Sequence, residues 1–341
     1  MSALRERYEK NLSPEASMCL GLISNPLAKT NWRSVAHDAL RSHFSDAACA
    51  ISTNSVEHVP DALRELLFAR GCNVIAINGG DGTIHAVLQA TIEVLEEVSD
   101  GERHLPLPVF LLLNGGGMNM LARTFDTRGH PIKTLKRFLR RFSKASLSSL
   151  PLRHVPLIEV HEAGGGVRYG FIFGSELVLN ALTMYERFGQ GYRGLARLFA
   201  AIGAGVLWET ELWRRFGHLL DPPSTFLEVD GEGPMPYACA VVSTVPLTLM
   251  LGAVRALPRR ARLGRLEGII IEERDPMKLV GMIPALFFGQ PHAKVTQLCD
   301  ALELSLYGPY TLDGERFTHL DALSPLRIRG SQRSFRALWM G

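Results

Sequence analysis

The chain has 341 residues, of which 46% are hydrophobic, and this is more material than one hydrophobic core normally holds. Its 37 Lys and Arg residues against 34 Asp and Glu residues leave a formal net charge of +3, which is too small for wholesale binding of nucleic acid. Five cysteines without Cys-x-x-Cys or Cys/His metal spacing predict reduced thiols in the cytoplasm. We therefore expect two domains and no nucleic-acid partner.

Neither a secretory signal nor a membrane span is expected. The N-terminus lacks an apolar run before a small-residue cleavage site. The longest uncharged run, residues 237–254, contains Pro246 and three hydroxyl residues, so two buried strands joined by a turn at Val245-Pro246 explain it better than a span. The sequence predicts a cytoplasmic protein.

Strand and helix patterns alternate along the first part of the chain, which is typical of a parallel α/β sheet. A helix ended by Gly71 and helical spacing from Ile84 to Val98 separate the strands. The predicted strands are residues 20–23, 46–52, 73–77 and 109–113; a helix is expected after the first of them, and another covers residues 59–70.

The third predicted strand runs directly into the sequence Asn78-Gly79-Gly80-Asp81-Gly82-Thr83, and a helix follows. Glycines let the backbone approach a phosphate, and the helix N-terminus adds a positive dipole end. Asp81 inside such a loop suits a bound Mg²⁺, and Thr83 is predicted to cap the helix and to bond a phosphate oxygen. The competing interpretation is a tight connection, since Asp, Thr and Gly are ordinary turn and cap residues.

A second glycine-rich loop, residues 114–119, follows the fourth predicted strand and leads to a helix start at Met120. Ligands bind at the carboxyl edge of open α/β sheets, where both loops should emerge. Neither common nucleotide fingerprint is present: the chain has no G-x-x-x-x-G-K-[ST], and His85 stands where G-x-G-x-x-G requires glycine. We expect His85 to be a partly exposed helix residue, with a place beside the ligand as the alternative.

Residues 131–144 predict an amphipathic helix with six Lys or Arg residues. It suits an anionic membrane surface, and an ordinary packed helix with a solvated basic face explains it equally well. From about residue 150 the pattern changes to short β-rich segments at 155–161, 168–173, 225–229, 237–243, 268–271 and 301–307, with a helical stretch at 181–216.

The chain resembles the diacylglycerol kinase-like lipid kinases, relatives of the sphingosine kinases, NAD kinases and phosphofructokinases. The Gly-Gly-Asp-Gly-Thr loop carries most of this resemblance, and four further matches follow in the family's order. These are Asn25-Pro26, Thr53, the residues Gly116, Asn119, Ala122 and Arg123, and the late string Leu312-Asp313-Gly314-Glu315.

The resemblance implies a three-layer α/β nucleotide domain in residues 1–150, completed by 325–341, and a β-sandwich-like lipid domain in 151–324. It implies an ATP- and Mg²⁺-dependent lipid kinase that acts at a membrane surface, with homodimer formation left open. The implied catalytic residues are Glu315 as general base, Asp81 as metal ligand, and Asp313. The implied nucleotide-binding residues are Asn25, Thr53, Gly79, Gly80, Asp81, Gly82, Thr83, Gly116, Gly117 and Asn119.

The string Leu312-Asp313-Gly314-Glu315 has a purely structural alternative, a hairpin turn between strands 302–306 and 317 onward. A second copy of Asp-Gly-Glu, at residues 230–232, is interpreted as a hairpin turn. Four positions depart from the family pattern, namely Ala86, Gly117, Met120 and Gly264. A noncatalytic member that binds nucleotide or lipid, an NAD kinase-like enzyme and, least favoured, a nicotinamide-dependent dehydrogenase therefore remain as alternatives.

Overall fold

The computed structural model describes residues 2–28, 36–44, 46–101, 104–116, 119–127, 129–188, 225–249, 254–257, 260–275, 293–318 and 324–340, with isolated residues between 197 and 214 and between 278 and 282. The chain forms two compact units, Met1–Val155 with Arg333–Gly341 and Pro156–Gln332. The nucleotide and lipid roles expected for 1–150 with 325–341 and for 151–324 stay predictions. Most of the predicted helical stretch 181–216 lies outside the described residues.

The first unit holds six α-helices and four complete strands within the described residues. The helices are α1 Ser2–Asn11, α2 Ala36–Arg41, α3 Val59–Arg64, α4 Asp81–Val98, α5 Met120–Thr124 and α6 Pro131–Phe142. The strands are β1 Leu20–Ser24, β2 Ala50–Ser52, β3 Val74–Asn78 and β4 Val109–Leu112. A π-helix, Glu65–Ala69, continues α3, and short 3₁₀ helices occupy Ala47–Cys49, Val56–His58 and Leu147–Ser149.

The strands of this unit form a parallel sheet in the order β2-β1-β3-β4. Successive residues of a strand face opposite sides of the sheet. Leu22 and Leu111 share a buried cluster with Phe138 of α6, whereas Gly21 lies against Leu66 of the π-helix. Helices therefore cover both faces, which confirms the predicted three-layer α/β architecture.

The predicted strand at residues 46–52 is shorter than expected. The Asp46 side chain accepts a hydrogen bond of 2.9 Å from the Ala48 amide and caps the 3₁₀ helix, so only β2 is extended. A side-chain bond of this kind offers the backbone a local alternative to a sheet ladder.

The second unit is mainly antiparallel β-sheet. Its strands, with those that cross its boundaries, are β5 Leu152–His161, β6 Val167–Gly170, β7 Ile172–Glu176, β8 Phe226–Val229, β9 Glu232–Pro236, β10 Cys239–Ser243, β11 Leu247–Leu249, β12 Val254–Leu257, β13 Leu266–Ile271, β14 Val295–Ala301, β15 Glu303–Leu306, β16 Tyr310–Leu312, β17 Glu315–Phe317 and β18 Leu326–Leu338. A helix, α7 Leu177–Phe188, follows β7.

One sheet of this unit has the order β14-β13-β10-β7-β16-β17, and neighbouring strands in it pair antiparallel. Its buried side chains include Phe173, Val242 and Leu312. The turn expected at Val245-Pro246 separates β10 from β11, while the single strands expected at 168–173 and 301–307 are each divided between two strands. Among the described helices, none is long and apolar enough to cross a bilayer.

Candidate active site

The glycine-rich loop after β3 leads straight into the longest described helix of the first unit. Helix α4 begins at Asp81 with Gly80 as its extended N-cap, and the Ile84 amide makes the first helical bond to the Gly80 carbonyl at 3.0 Å. Thr83 is therefore the third helical residue, so the prediction that it caps the helix is wrong. The amides of the first turn of any helix have no partner within the helix and point outward with the positive end of its dipole.

The glycines of the two loops allow the loops to pack backbone against backbone. A Cβ added to Gly116 would lie 2.3 Å from Gly80 Cα, and one added to Gly115 would lie 2.8 Å from the Gly79 amide nitrogen. A Cβ on Gly79 would lie 2.4 Å from Thr83 Cβ. The tight-connection interpretation thus explains why glycine stands at these positions. Gly117 lies outside the described residues.

Asp81 connects the two loops through its carboxylate. Its Oδ2 accepts a hydrogen bond from the Met120 amide and its Oδ1 accepts one from the Leu121 amide, both at 3.1 Å. These amides belong to the first two residues of helix α5. Asp81, which lies 39 residues before Met120, therefore caps that helix. A carboxylate has about four lone-pair sites, and these two amide bonds hold the Asp81 carboxylate against the start of α5.

Asn119 closes the second loop. Its backbone adopts the left-handed conformation with φ 51°. Its side chain accepts from the Gly116 amide and donates to the Gly116 carbonyl, each at 2.8 Å. Since Asn119 is also buried, its amide group has a structural role in shaping the loop.

Asn25 and Thr53 join these loops at the carboxyl edge of the sheet. The Asn25 side chain donates to Thr83 Oγ1 at 3.1 Å and accepts from the Leu27 amide at 2.9 Å. Buried Thr53 donates its amide to the Ser24 carbonyl at 2.9 Å. The ends of β1, β2 and β3 thus bring together residues from three separate parts of the sequence.

This edge of the first unit fits an anion. The outward amides at the start of α4 supply a positive field, and Gly79, Gly80, Gly115 and Gly116 let the described backbones of the two loops approach closely. In the described part of the chain, no group of three or more His, Cys, Asp or Glu side chains is arranged to hold a metal ion. A cation here would therefore depend on Asp81 and on ligand oxygens.

His85 is buried, with 6% of its surface exposed, so the expectation of a partly exposed residue is wrong. It lies one turn into α4, whose flanking residues Ile84 and Leu88 are also buried. The following Ala86, one of the departures, is half-buried.

Asp313 and Glu315 belong to the second unit, where they form the turn and first residue of a β16–β17 hairpin. The turn joins β16 to β17 and not the strands first considered. Asp313 is 8% exposed, and its Oδ1 accepts hydrogen bonds of 2.9 Å from the amides of Phe171 and Ile172. The Glu315 side chain is exposed. The catalytic roles of both residues stay predictions.

Sequence reasoning missed a second buried carboxyl group in this unit. Glu176 ends β7 with a left-handed backbone, φ 57°, and only 8% of its surface is exposed. Burial raises the pKa of its carboxyl group, while hydrogen bonds with Thr225 and Tyr237 act in the opposite direction. Nothing in the local sequence marks this residue. Gly264, where the family pattern places a metal-supporting Asp-Gly, has φ 71° and its amide donates to the Ser331 carbonyl.

Comparison with known proteins shows what the first unit is similar to. Residues 20–148 match the family model of the diacylglycerol kinase catalytic domain. Three solved structures from Bacillus anthracis str. Sterne each cover 94% of this chain and 96% of their own. One is a diacylglycerol kinase, with 14% identity and a TM-score of 0.57. The other two, provisionally assigned that activity, have 15% identity and a TM-score of 0.60.

No curated protein matches the sequence significantly. At these identities the solved structures establish the shared fold, an α/β sheet with helices followed by an antiparallel β unit, and this confirms the predicted fold class. Residues 20–148 are therefore similar to the diacylglycerol kinase catalytic domain, which confirms the family resemblance seen in the sequence.

Proposed function

We propose that the chain is an ATP- and Mg²⁺-dependent lipid kinase that transfers the γ-phosphoryl group to a hydroxyl of diacylglycerol or a related lipid. Membership of a kinase family supports the reaction class. The single observation that carries the proposal is the anion-binding edge, where the start of α4 and the second glycine loop meet beneath Asn25 and Thr53.

In this proposal the residues of the first unit hold the nucleotide. The outward amides of α4 bind phosphate oxygens, and the Thr83 hydroxyl, positioned by Asn25 at 3.1 Å, adds another donor. Thr53, which follows β2, is proposed to contact the ribose or base, as the family resemblance implies. Fixed donors of this kind stabilise charge on a transferred phosphoryl group without having to reorganise.

Asp81 is the proposed metal-binding residue. In this proposal its carboxylate oxygens bind the cation while they accept the capping hydrogen bonds from the amides of α5. When bound, ATP supplies the phosphoryl group and Mg²⁺ neutralises charge on its oxygens. The capping bonds hold the carboxylate in one orientation, as a metal ligand requires.

Glu315 is the proposed general base. A hydroxyl that attacks phosphorus must lose its proton to a positioned acceptor, and an exposed carboxylate at the start of β17 can receive it. Asp313 fixes the preceding turn through its bonds to Phe171 and Ile172, so its proposed contribution is to position Glu315.

Helix α6 provides the surface proposed to contact an anionic membrane. Its apolar side chains, including Leu135 and Phe138, are buried in the core of the first unit. The exposed cations on this helix and just beyond it are Lys133, Lys136, Arg137, Arg140, Arg141 and Lys144. Each Lys or Arg near an anionic leaflet contributes about 1 kcal/mol.

The membrane proposal predicts that the triple variant Lys133→Glu/Lys136→Glu/Arg140→Glu binds phosphatidylglycerol vesicles roughly a hundredfold more weakly than the wild type. Co-sedimentation with these vesicles measures the effect. The matched control, Lys10→Glu/Arg41→Glu/Arg327→Glu, changes the net charge equally at exposed positions off the helix and should lose much less. Equal losses in the two variants would show that net charge, and not this helix, governs binding.

The kinase proposal is tested by transfer of labelled γ-phosphate from ATP to a panel of lipids in mixed micelles. We expect Asp81→Asn and Glu315→Gln each to lower the rate by roughly a hundredfold or more. Glu232→Gln, the equivalent change in the second Asp-Gly-Glu string, serves as the control. Labelled NADP formed from added NAD without micelles would instead identify an NAD kinase-like enzyme.

One observation favours a second candidate, a noncatalytic member that binds nucleotide. Asp81 already serves as a helix cap, and Ala86 and Met120 stand where the family pattern has carboxylates. ATP binding measured by calorimetry, with no labelled product from any lipid, would support this candidate over the kinase.

A further inference from the structure

Three of the five cysteines lie together at the amino edge of the parallel sheet, although they are scattered in the sequence. Cys19 precedes β1, Cys49 precedes β2 and Cys72 comes two residues before β3. These strands are neighbours in the order β2-β1-β3 and run in the same direction, so their starting ends meet. The cluster lies at the opposite ends of the same strands from the proposed nucleotide site.

The backbone holds Cys19 and Cys72 in a close diagonal position across β1 and β3. The amides of Asn73 and Val74 donate to the Cys19 carbonyl at 3.0 and 3.1 Å, and the Cys19 amide donates to Asn73 Oδ1 at 2.8 Å. The two sulfur atoms are 3.8 Å apart. A disulfide requires about 2.05 Å, so the two sulfur atoms must approach each other by less than about 2 Å for the bond to form.

The exposure and the pKa of the two thiols match the roles of an attacking cysteine and a resolving cysteine. Cys19 is partly exposed, whereas Cys72 is 1% exposed. The hydrogen bond between the two thiols lowers the pKa of Cys19 to about 7, and the same bond, with burial, raises the pKa of Cys72. Cys19 is therefore the sulfur that ionises and that solvent can reach.

Cys49 also forms a side-chain hydrogen bond with Cys72, but burial raises the pKa of Cys49. The remaining cysteines belong to the second unit, where Cys239 is buried and Cys299 is exposed. Burial raises the pKa of Cys239 to about 12. Cys49 is thus the alternative partner, and Cys299 provides an exposed comparison.

We propose that Cys19 and Cys72 form a peroxide-sensitive dithiol that closes to a disulfide at the amino edge of the sheet. The Cys19 thiolate attacks one oxygen of a hydroperoxide, which breaks the O–O bond and gives a sulfenic acid and, after protonation, water or an alcohol. The Cys72 thiol then attacks that sulfur, forms the S–S bond and releases water. Two thiols are oxidised and one peroxide is reduced, and the inference is independent of the proposed kinase activity.

The test is to treat the reduced full-length protein with a stoichiometric amount of hydrogen peroxide, block the remaining thiols with N-ethylmaleimide, and map peptides without reduction. We expect a Cys19–Cys72 linked peptide in the wild type and in Cys49→Ser and Cys299→Ser. At pH 7, Cys19 should react about threefold faster than an ordinary exposed cysteine, because its larger thiolate fraction outweighs its lower nucleophilicity. A Cys49–Cys72 link, or prior oxidation of Cys299, would overturn the proposal.

A second variant, Cys72→Ala, tests the assigned roles of the two thiols separately. In Cys72→Ala the resolving thiol is missing, so peroxide should leave Cys19 as a sulfenic acid that a cyclic 1,3-diketone labels. A purely structural role for the pair would not create this label. Absence of both the disulfide in the wild type and the label in Cys72→Ala, with circular dichroism unchanged, would contradict the assignment.

Discussion

The chain contains the string Asp-Gly-Glu twice, and both copies form the same local structure. Asp230-Gly231 joins β8 to β9 and Asp313-Gly314 joins β16 to β17. The φ angles are 53° and 82° in the first turn and 55° and 91° in the second. Two successive positive φ angles are typical of the two-residue hairpin turn that matches the twist of β-strands.

The two aspartates also make the same kind of hydrogen bonds. Asp230 Oδ1 accepts from the amides of Leu302 and Glu303 at 2.8 Å, and Asp313 Oδ1 accepts from Phe171 and Ile172 at 2.9 Å. Each aspartate thus binds the start of a neighbouring strand. They differ in burial, since Asp230 is exposed and Asp313 is 8% exposed. The string therefore specifies a turn and a pair of hydrogen bonds, while the burial of the aspartate decides how much those bonds contribute to stability.

Asp81 shows a related arrangement in the first unit, where it binds two successive amides at the start of α5 with one oxygen each. Three aspartates that resemble turn or ligand residues in the sequence thus fix the start of another element. The hydrogen bonds of these aspartates are structural, whereas the proposed proton transfer belongs to Glu315. Four predictions test this distinction.

The largest expected effect distinguishes the two glutamates. Glu315→Gln should lower the rate of phosphoryl transfer by roughly a hundredfold or more, because only Glu315 is proposed to accept the hydroxyl proton. Glu232→Gln removes the same charge from an equivalent exposed position and should leave the rate unchanged. Labelled-phosphate assays of both variants measure this, and equal losses would remove Glu315 from the catalytic role.

The second prediction compares the two aspartates. Asp313→Ala leaves two amides without their acceptor at a buried site and should lower the free energy of unfolding by about 3 kcal/mol. Asp230→Ala exposes its amides to water and should cost about 1 kcal/mol. Urea denaturation followed by circular dichroism measures the difference. Equal costs would show that burial does not separate the two turns.

The third prediction concerns how many carboxylate oxygens of each aspartate accept hydrogen bonds from backbone amides. In Asp81→Asn, one oxygen becomes an NH₂ donor that faces an α5 amide, so the variant should lose about 1.5 kcal/mol of stability. Asp313→Asn retains the single oxygen that accepts both amides and should lose much less. Thermal unfolding of the two variants tests this, and the reverse order would contradict the assigned hydrogen bonds.

The smallest expected effect is shared by both hairpins. Gly231→Ala and Gly314→Ala should each cost about 1 kcal/mol, because an alanine at positive φ is strained although no atom lies within 4 Å of the added Cβ. Denaturation midpoints for the two variants should therefore agree. A much larger cost at Gly314 would reveal a contact that the hairpin comparison does not include.

Much of the first unit follows from its sequence because the relevant interactions are local. The apolar run of β3, the glycines after it and the helical spacing from Ile84 onward specify a strand, a tight loop and a helix within 26 residues, 73–98. The string Asp230-Gly231-Glu232 similarly predicts its own hairpin, and β10 and β11 are divided at Val245-Pro246 as expected. The parallel order of strands places Asn25 and Thr53 beside the loop that the sequence singles out.

Other features depend on residues that are far apart in the chain. The sequence predicts that Asp81 binds a metal ion within its own loop, but in the structure its carboxylate caps a helix that begins at Met120. The side chain of His85 is buried by packing that the spacing of one helix does not reveal, and Cys19 meets Cys72 only because β1 lies beside β3. Sequence thus determined the local backbone conformations and the chemical groups available, because these depend on neighbours along the chain. Only the tertiary structure decided which carboxylates, amides and thiols meet and how deeply each is buried, because strand pairing and core packing set those distances.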